Sequence, residues 1–135
     1  MPTPSEDLYE SLTNGGTSPL ALAVDGRLYP VRLPPGTPYS PTDRMPCVVF
    51  RRVFTDPVAQ SQDGWGGLMK CRWQFDCWAL THYDSEALAD TLRAALVAAP
   101  LAAQQVSVMD ADSGGDETLW RVIVEAYTWF DEEAP

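Results

Sequence analysis

The sequence is poor in the residues that most often carry catalysis or bind metal ions. It contains a single histidine, His82, and three cysteines among 135 residues. A histidine base needs a nucleophile beside it and an acid that orients it, and the residues near His82 offer no such arrangement. A zinc site needs closely spaced cysteines with histidine partners, and the sequence contains no such group. We therefore predict that the protein is not an enzyme and uses no cofactor or metal ion.

The cysteines, Cys47, Cys71 and Cys77, do not form a disulfide pattern. Cys71 and Cys77 are six residues apart in a predicted strand, so they share one face but lie about 20 Å apart. An odd number of cysteines without a secretory signal is typical of reduced cytosolic thiols. We expect all three to be buried as small hydrophobic side chains.

Long apolar runs are absent as well. No stretch approaches the roughly 18 apolar residues that span a bilayer. Residues 1–7 have neither the basic nor the apolar region of a secretory signal. The length predicts one domain, residues 1–135, and the 45% share of hydrophobic residues is enough for a core. We expect a soluble domain without a membrane partner.

Positive charge is scarce, and its distribution is uneven. The net charge is −10. Residues 1–26 contain four acids and no base, residues 27–72 contain seven bases and three acids, and residues 73–135 contain twelve acids and two bases. Opposite charges in the two halves suit subunits that contact their neighbours head to tail. Sequence-specific DNA binding is disfavoured, because phosphate contacts need clustered lysine and arginine.

The first half of the chain predicts a short helix and two strands. Residues 5–12 form the helix, with Ser5 as a candidate N-cap and residues 14–16 as its end. Six prolines between residues 29 and 46 exclude a helix interior or a central strand. Residues 47–54 form the first strand, and residues 68–79, with apolar alternate positions, form the second. Its twelve residues exceed the usual strand length, so this strand either bends or projects as one arm of a protruding β-hairpin.

The second half predicts a helix followed by two more strands. The helix begins at residues 84–86, which supply its N-cap and the acids of its first turn, and it has an apolar stripe of Leu88, Leu92, Ala95 and Leu96. Residues 105–109 and 119–130 form the strands, and apolar residues on both faces of the latter predict a central strand or a partner. The fold class is α+β: an antiparallel sheet of about four strands with the helices packed on one face.

Two loops resemble binding motifs without satisfying them. Residues 110–117 resemble a calcium-binding loop, but Arg121 occupies the twelfth position, where a glutamate should coordinate the ion. A solvated turn is the simpler interpretation. Residues 64–67 are rich in glycine, yet no Lys-Ser/Thr follows, which excludes a phosphate-binding loop. This loop presents Trp65, either as an interface anchor or as an accidentally exposed residue.

The order of four segments resembles a family of phage tail-completion proteins. These segments are the strand Met-Pro-Cys-Val-Val-Phe-Arg-Arg-Val at 45–53, the turn Gln-Asp-Gly-Trp-Gly-Gly-Leu at 62–68, the strand Arg-Trp-Gln-Phe-Asp-Cys-Trp-Ala at 72–79 and the helix at 85–96. Upstream, the short helix and Asp25-Gly-Arg-Leu-Tyr-Pro30 also resemble the family's opening. The proline-rich segment 33–46 is longer than expected, and Met45 precedes the strand where a tyrosine is common.

The resemblance implies a structural virion protein without enzymatic activity. It implies a ring, commonly of six subunits, that completes the tail tube and joins it to the head connector. The partners would be further copies, the tail tube protein and the head-completion protein, with DNA passing through the lumen without sequence-specific binding. The protein would be found in the tail or neck of the virion, and in the host cytoplasm during assembly.

The charge and the aromatic residues suggest an interface, and they leave one alternative function open. The candidate subunit or tube contacts are Arg51, Arg52, Asp63, Trp65, Lys70, Arg72, Tyr127 and Trp129. We expect Arg51 and Arg72 to be cross-strand neighbours. The alternative is an acidic inhibitor or DNA mimic that binds a basic groove as a monomer or dimer. The net charge favours this alternative, whereas the basic segment 27–72 does not.

Overall fold

The computed structural model describes residues 4–30, 46–57, 60–61, 64–65, 68–98, 104–111 and 119–131. Within these ranges the helices are α1 (Pro4–Thr13), α2 (Pro19–Ala23) and α3 (His82–Ala98). The strands are β1 (Leu28–Pro30), β2 (Cys47–Pro57), β3 (Gln60–Ser61), β4 (Gly64–Trp65), β5 (Leu68–Ala79), β6 (Gln104–Ala111) and β7 (Trp120–Asp131). Most of the proline-rich segment lies outside the described residues.

The N-terminal region contains one predicted helix and one that was not predicted. Helix α1 includes Ser5 one residue inside its start, so Ser5 is not its N-cap as expected. Asn14 and Gly15 end the helix as predicted, with φ values of 47° and 67° in the left-handed region. Helix α2 follows because the Ser18 hydroxyl accepts a hydrogen bond from the Ala21 amide over 3.1 Å, and Pro19 occupies the first helical position.

The strands form a five-stranded sheet in the order β1-β2-β5-β7-β6. All neighbours are antiparallel except β1 and β2, which are parallel. The α+β class with a mostly antiparallel sheet is therefore confirmed, and the fifth strand is the short β1. Strand β5 has the predicted bounds, and β7 is central, between β5 and β6. Strands β3 and β4, which lie between β2 and β5 in the chain, pair with each other as a separate two-stranded sheet.

The helices cover one face of this sheet. Trp73, Phe75 and Cys77 on β5 pack in one cluster with Leu88 and Leu92 of α3. The alternating apolar residues of β5 therefore meet the apolar stripe of α3, as the predicted packing of the helices on one face requires. The same cluster contains residues of the other helices and of β2 and β7: Leu8, Leu12, Leu20, Val24, Val48, Phe50, Leu96, Val122, Val124 and Ala126. Burial of these side chains is the main force that holds the layers together.

Helix α3 begins earlier than predicted because a different residue caps it. The Thr81 hydroxyl accepts a hydrogen bond from the Asp84 amide over 3.1 Å, and the helix starts at His82. A threonine hydroxyl in this position satisfies one of the unpaired amides of the first turn. The expected cap at residues 84–86 is therefore wrong, and Asp84 belongs to the first turn of the helix.

All three cysteines are buried, as expected, and none forms a disulfide. Burial raises the pKa of the Cys77 thiol far above its ordinary value, and the nearby Asp76 charge adds to the effect. A buried thiol that stays protonated is a poor nucleophile. Cys77 therefore serves the core as a small buried side chain.

Candidate interaction surface

The face of the sheet opposite the helices carries most of the candidate interface residues. Even-numbered residues of β5 and odd-numbered residues of β7 point to it, because their neighbours along each strand fill the core. We call it the helix-free face and define it by Lys70, Arg72, Gln74, Asp76 and Trp78 of β5 with Arg121, Ile123, Glu125, Tyr127 and Trp129 of β7. All ten side chains are half-buried.

Arg72 is held by an acid on the neighbouring strand. Its Nε atom donates to Oε2 of Glu125 over 2.9 Å, and Nη2 contacts the same oxygen. Nη1 lies 3.4 Å from the hydroxyl of Tyr127. The hydrogen bonds to Glu125 raise the pKa of Arg72, opposed by partial desolvation. Arg72 is therefore neutralised within its own chain, so its charge is less available to a neighbouring subunit.

Lys70 lies over two aromatic rings of β7. Its Nζ atom is 4.0 Å from the centre of the Tyr127 ring and 5.8 Å from that of Trp129. A cation over an aromatic face is attracted by the negative potential of the ring. This contact brings together three of the residues predicted as an interface.

Arg121 makes a similar contact between a cation and an aromatic ring at the other end of the helix-free face. Its guanidinium carbon is 5.0 Å from the centre of the Trp78 ring, and Nη1 is 3.8 Å from Oδ2 of Asp76. Gln74 donates to Asp76 over 3.0 Å. Acids, cations and aromatic rings therefore alternate along the face. A surface of this composition suits protein contacts, because aromatic residues and arginine are enriched in interfaces.

The strand register separates Arg51 and Arg52 from the cluster that Lys70 and Arg72 form with Tyr127 and Trp129. Arg51 is opposite Gln74, and Arg72 is opposite Phe54, so Arg51 and Arg72 are not directly paired. A bulge between Arg52 and Phe54 shifts the register, and Arg51 is diagonal to Arg72 on the same face. Arg52 is opposite Trp73, which places it on the helix-covered side of the strand. The four basic residues do not form one patch.

The remaining candidates lie in the connection between β2 and β5. Trp65 belongs to β4, where its backbone pairs with Gln60. Asp63 lies outside the described residues. The structure therefore brings together Lys70, Arg72, Tyr127 and Trp129, leaves Arg51 at the border of their cluster, and places Arg52 on the other face.

His82 has partners that the sequence did not indicate. Its Nε2 atom is 3.2 Å from Oδ1 of Asp110, and Nδ1 is 3.7 Å from Oε2 of Glu86. The Trp120 ring meets the imidazole edge-on, with 5.7 Å between the ring centres. These contacts join the start of α3 to β6 and β7. Asp110 is 28 residues away in sequence, which is why local patterns could not reveal the pair.

Neither a metal-binding cluster nor a membrane-spanning helix is found within the described part of the chain. There, no three His, Cys, Asp or Glu residues come together as ligands. None of the helices described is both long and apolar enough to cross a bilayer. Of the predicted turn at 110–117, residues 112–117 lie outside the described residues.

Comparisons with known proteins identify the family of this chain. No curated protein matches it. Among solved structures, one chain in the virion of a native gene transfer agent particle matches with a TM-score of 0.55. That match covers 92% of this chain and 94% of the other at 14% identity, so it shows a shared fold. The profile of the family described as "Tail completion protein gp17" matches residues 15–131. Because this match spans most of the sequence, the chain belongs to that tail-completion family and is a structural protein of a phage or phage-like virion.

Proposed function

We propose that the protein acts as a ring, with six copies as the expected number, that closes the tail tube and joins it to the head connector. The observation that carries the proposal is the family match over residues 15–131. The fold shared with a chain of a gene transfer agent virion supports it. The partners are further copies of the chain, the tail tube protein and the head-completion protein.

The surface properties of the chain suit this role. Lys70, Arg72 and Arg121 are each held against aromatic or acidic residues of the same sheet face. Such a prearranged surface loses little side-chain freedom on binding, which favours association. It is also amphipathic, as expected for a subunit that is covered by other virion proteins.

The acidic character of the chain suits the passage of DNA. A net charge of −10 disfavours binding to phosphates, because like charges repel. A ring with an acidic lumen would let DNA slide through without sequence-specific contacts. In this proposal the protein does no chemistry, since assembly requires only specific surfaces.

Deleting the gene from a strain that produces the particle tests the role. We expect electron micrographs of the lysate to show filled heads and separate tails in place of joined particles. The wild-type gene supplied in trans should restore joining. A matched control with Val97→Ala, at an exposed position on α3, should restore it equally well, because the side chain is 85% exposed.

Two results would contradict the proposal. Joined particles at wild-type frequency after deletion would show that another protein completes the tail. A chain that is absent from purified particles and instead co-purifies with a basic enzyme would favour the acidic-inhibitor alternative. Mass spectrometry of the purified particles distinguishes these cases.

A further inference from the structure

A groove lies between helices α2 and α3, beside the end of β5. Its volume is about 240 Å³, and most of its lining is apolar, including Ala23, Leu80, Ala87 and Leu88. Leu80 exposes 44% of its surface at this groove. Exposed apolar side chains around a groove are typical of a surface that a partner covers, because burying them on binding is favourable. We call it the α2–α3 groove.

The surroundings of the α2–α3 groove are acidic. Asp84 in the first turn of α3 lines the groove. Glu86 and Asp110 lie by the start of the same helix, where both contact His82. All three carboxylates are on exposed side chains. A fitting occupant therefore combines an apolar side chain, which fills the groove, with positive charge beside it.

Strand β2 carries a segment with these properties at residues 51–53. Arg51 and Arg52 are exposed, and Val53 exposes 49% of its surface. The register of β2 with β5 shifts between Arg52 and Phe54, which leaves Val53 as the extra residue of a bulge. Because a bulge interrupts regular pairing and changes the direction of its side chains, this segment suits contacts through side chains. We call it the β2 bulge.

The β2 bulge cannot fill the α2–α3 groove of its own chain. Arg51 is opposite Gln74, which is five residues from Ala79 at the groove. At about 3.3 Å per residue, the bulge and the groove are therefore about 17 Å apart along the strands. A valine side chain does not reach that far. The chain thus carries two complementary surfaces that can meet only between copies.

A contact of this kind fits a ring. The bulge and the groove are different surfaces, so each copy can offer its bulge to one neighbour and its groove to the other. A rotation moves nothing along its own axis, so the two surfaces lie at the same height in the ring. Because they are offset along the strands, the ring axis is not parallel to the strands.

We infer that the β2 bulge of one copy docks in the α2–α3 groove of the next copy, with Val53 in the groove and Arg52 beside Asp84. This inference rests on the proposed function, because it takes the ring neighbour as the partner. Burial of Val53 against Leu80 and Ala87 contributes affinity. The pairing of charges selects the orientation and speeds the encounter.

Cysteine crosslinking in purified particles tests the contact. Two variants, Val53→Cys and Ala87→Cys, are produced together in the deletion strain, and the particles are treated with a short thiol–thiol crosslinker. Both positions are exposed in the single chain. The native cysteines contribute little background because each is completely buried. We expect a dimer-sized band only when both variants are present.

The controls separate the possible outcomes. Val53→Cys combined with Val97→Cys should give no band, because Val97 is ten residues further along α3, about 15 Å from Ala87. A strong band from either variant alone would mean that copies meet through identical surfaces, which would overturn the inference. Joined particles without a mixed band would also overturn it, while the proposed function stands. A chain that is absent from the particles would overturn the proposed function as well.

A charge exchange tests the pairing of Arg52 with Asp84 independently. Arg52→Glu and Asp84→Lys should each weaken the contact between copies roughly fivefold, measured as a lower fraction of heads joined to tails. The double variant should restore joining, because the two charges are exchanged and again attract. Asp90→Lys is the matched control, since Asp90 is exposed on the same helix but does not line the groove. Restoration by Asp90→Lys as complete as that by Asp84→Lys, or no restoration by Asp84→Lys in folded protein, would contradict the pairing.

Discussion

Trp73 and Thr128 are joined by a hydrogen bond inside the core, from Nε1 of Trp73 to Oγ1 of Thr128 over 2.7 Å. The residues are 1% and 3% exposed and belong to the adjacent strands β5 and β7. The indole nitrogen can only donate, so the threonine hydroxyl satisfies a group that water cannot reach. This buried polar contact helps to fix the pairing of two strands that are distant in sequence.

The Thr128→Val variant tests this contact. Valine keeps the shape of threonine but removes the acceptor, which leaves the Trp73 N–H buried without a partner. We expect the free energy of unfolding to fall by about 1–3 kcal/mol in urea denaturation. Thr91→Val is the matched control, because its hydroxyl bonds to the Ala87 carbonyl at an exposed site and its loss should cost less than about 0.5 kcal/mol. Equal losses of stability in the two variants would show that the buried Trp73–Thr128 hydrogen bond contributes no more than an exposed one.

A second prediction concerns the packing of α3 on the sheet. Leu92 is fully buried and belongs to the same cluster as Trp73 and Phe75. The Leu92→Ala variant should lose about 2–5 kcal/mol of stability, since it removes buried methyl groups and leaves a cavity. Val97→Ala on the same helix, at an 85% exposed position, should lose less than about 0.5 kcal/mol. A loss below about 1 kcal/mol for Leu92→Ala would show that the helix is not packed there.

The sequence predicted the elements whose side-chain pattern is regular. Strand β5 alternates without interruption, so its bounds and its core face were correct. Helix α2 was missed because its five residues are too few for a periodic pattern, although Ser18 and Pro19 are typical start signals. The cap of α3 was misplaced because Thr81, which precedes the predicted start, accepts the hydrogen bond of the Asp84 amide.

The candidate surface was only partly predictable. Composition drew attention to Lys70, Arg72, Tyr127 and Trp129, but their contacts depend on the pairing of β5 with β7. These strands are separated by more than forty residues, and no local pattern sets their register. Glu125 was therefore missed as the partner of Arg72. The register of β2 with β5 also could not be predicted, and it makes Arg51 and Arg72 diagonal neighbours, with Arg51 opposite Gln74.

A third prediction follows from the buried thiol of Cys77. Its pKa in the folded state is raised above the ordinary value of 9.0, mainly by burial. A raised pKa means that the stabilising effect is complete below that ordinary value and is lost as the pH rises above it. Above about pH 9 the unfolded chain loses the proton and the folded chain keeps it, so unfolding becomes more favourable by up to about 1.4 kcal/mol per pH unit.

Comparison of the wild type with Cys77→Ala isolates this effect. Urea denaturation at pH 8 and pH 10 gives the change in stability for each protein. Cys77→Ala should be less stable than the wild type at both pH values, because it leaves a small cavity. Between pH 8 and pH 10, however, the wild type should lose about 1 kcal/mol more stability than the variant. The same loss in both proteins would mean that the Cys77 thiol also ionises in the folded state.

The last prediction concerns the charge of the β2 edge in assembly. Charge reversal at Arg51 or Arg72 would test whether the basic residues drive assembly. The structure makes Arg72 unsuitable, because an Arg72→Glu substitution would place a second carboxylate beside Glu125 and disturb the fold. Arg51→Glu changes an exposed side chain on β2 and should leave folding intact. Arg52→Glu makes the same charge reversal on the helix-covered side of β2.

We expect Arg51→Glu to weaken the contact between copies roughly fivefold, because reversal replaces attraction by repulsion at the border of the interface. High salt should weaken wild-type assembly in the same direction by screening the charges. The matched control is Arg93→Glu, which makes the same change of charge on the exposed side of α3. The fraction of heads joined to tails, counted in micrographs at low and high salt, measures the effect. If Arg51→Glu and Arg93→Glu join equally well at both salt concentrations, the charges do not drive assembly, and the aromatic residues Tyr127 and Trp129 become the next residues to mutate.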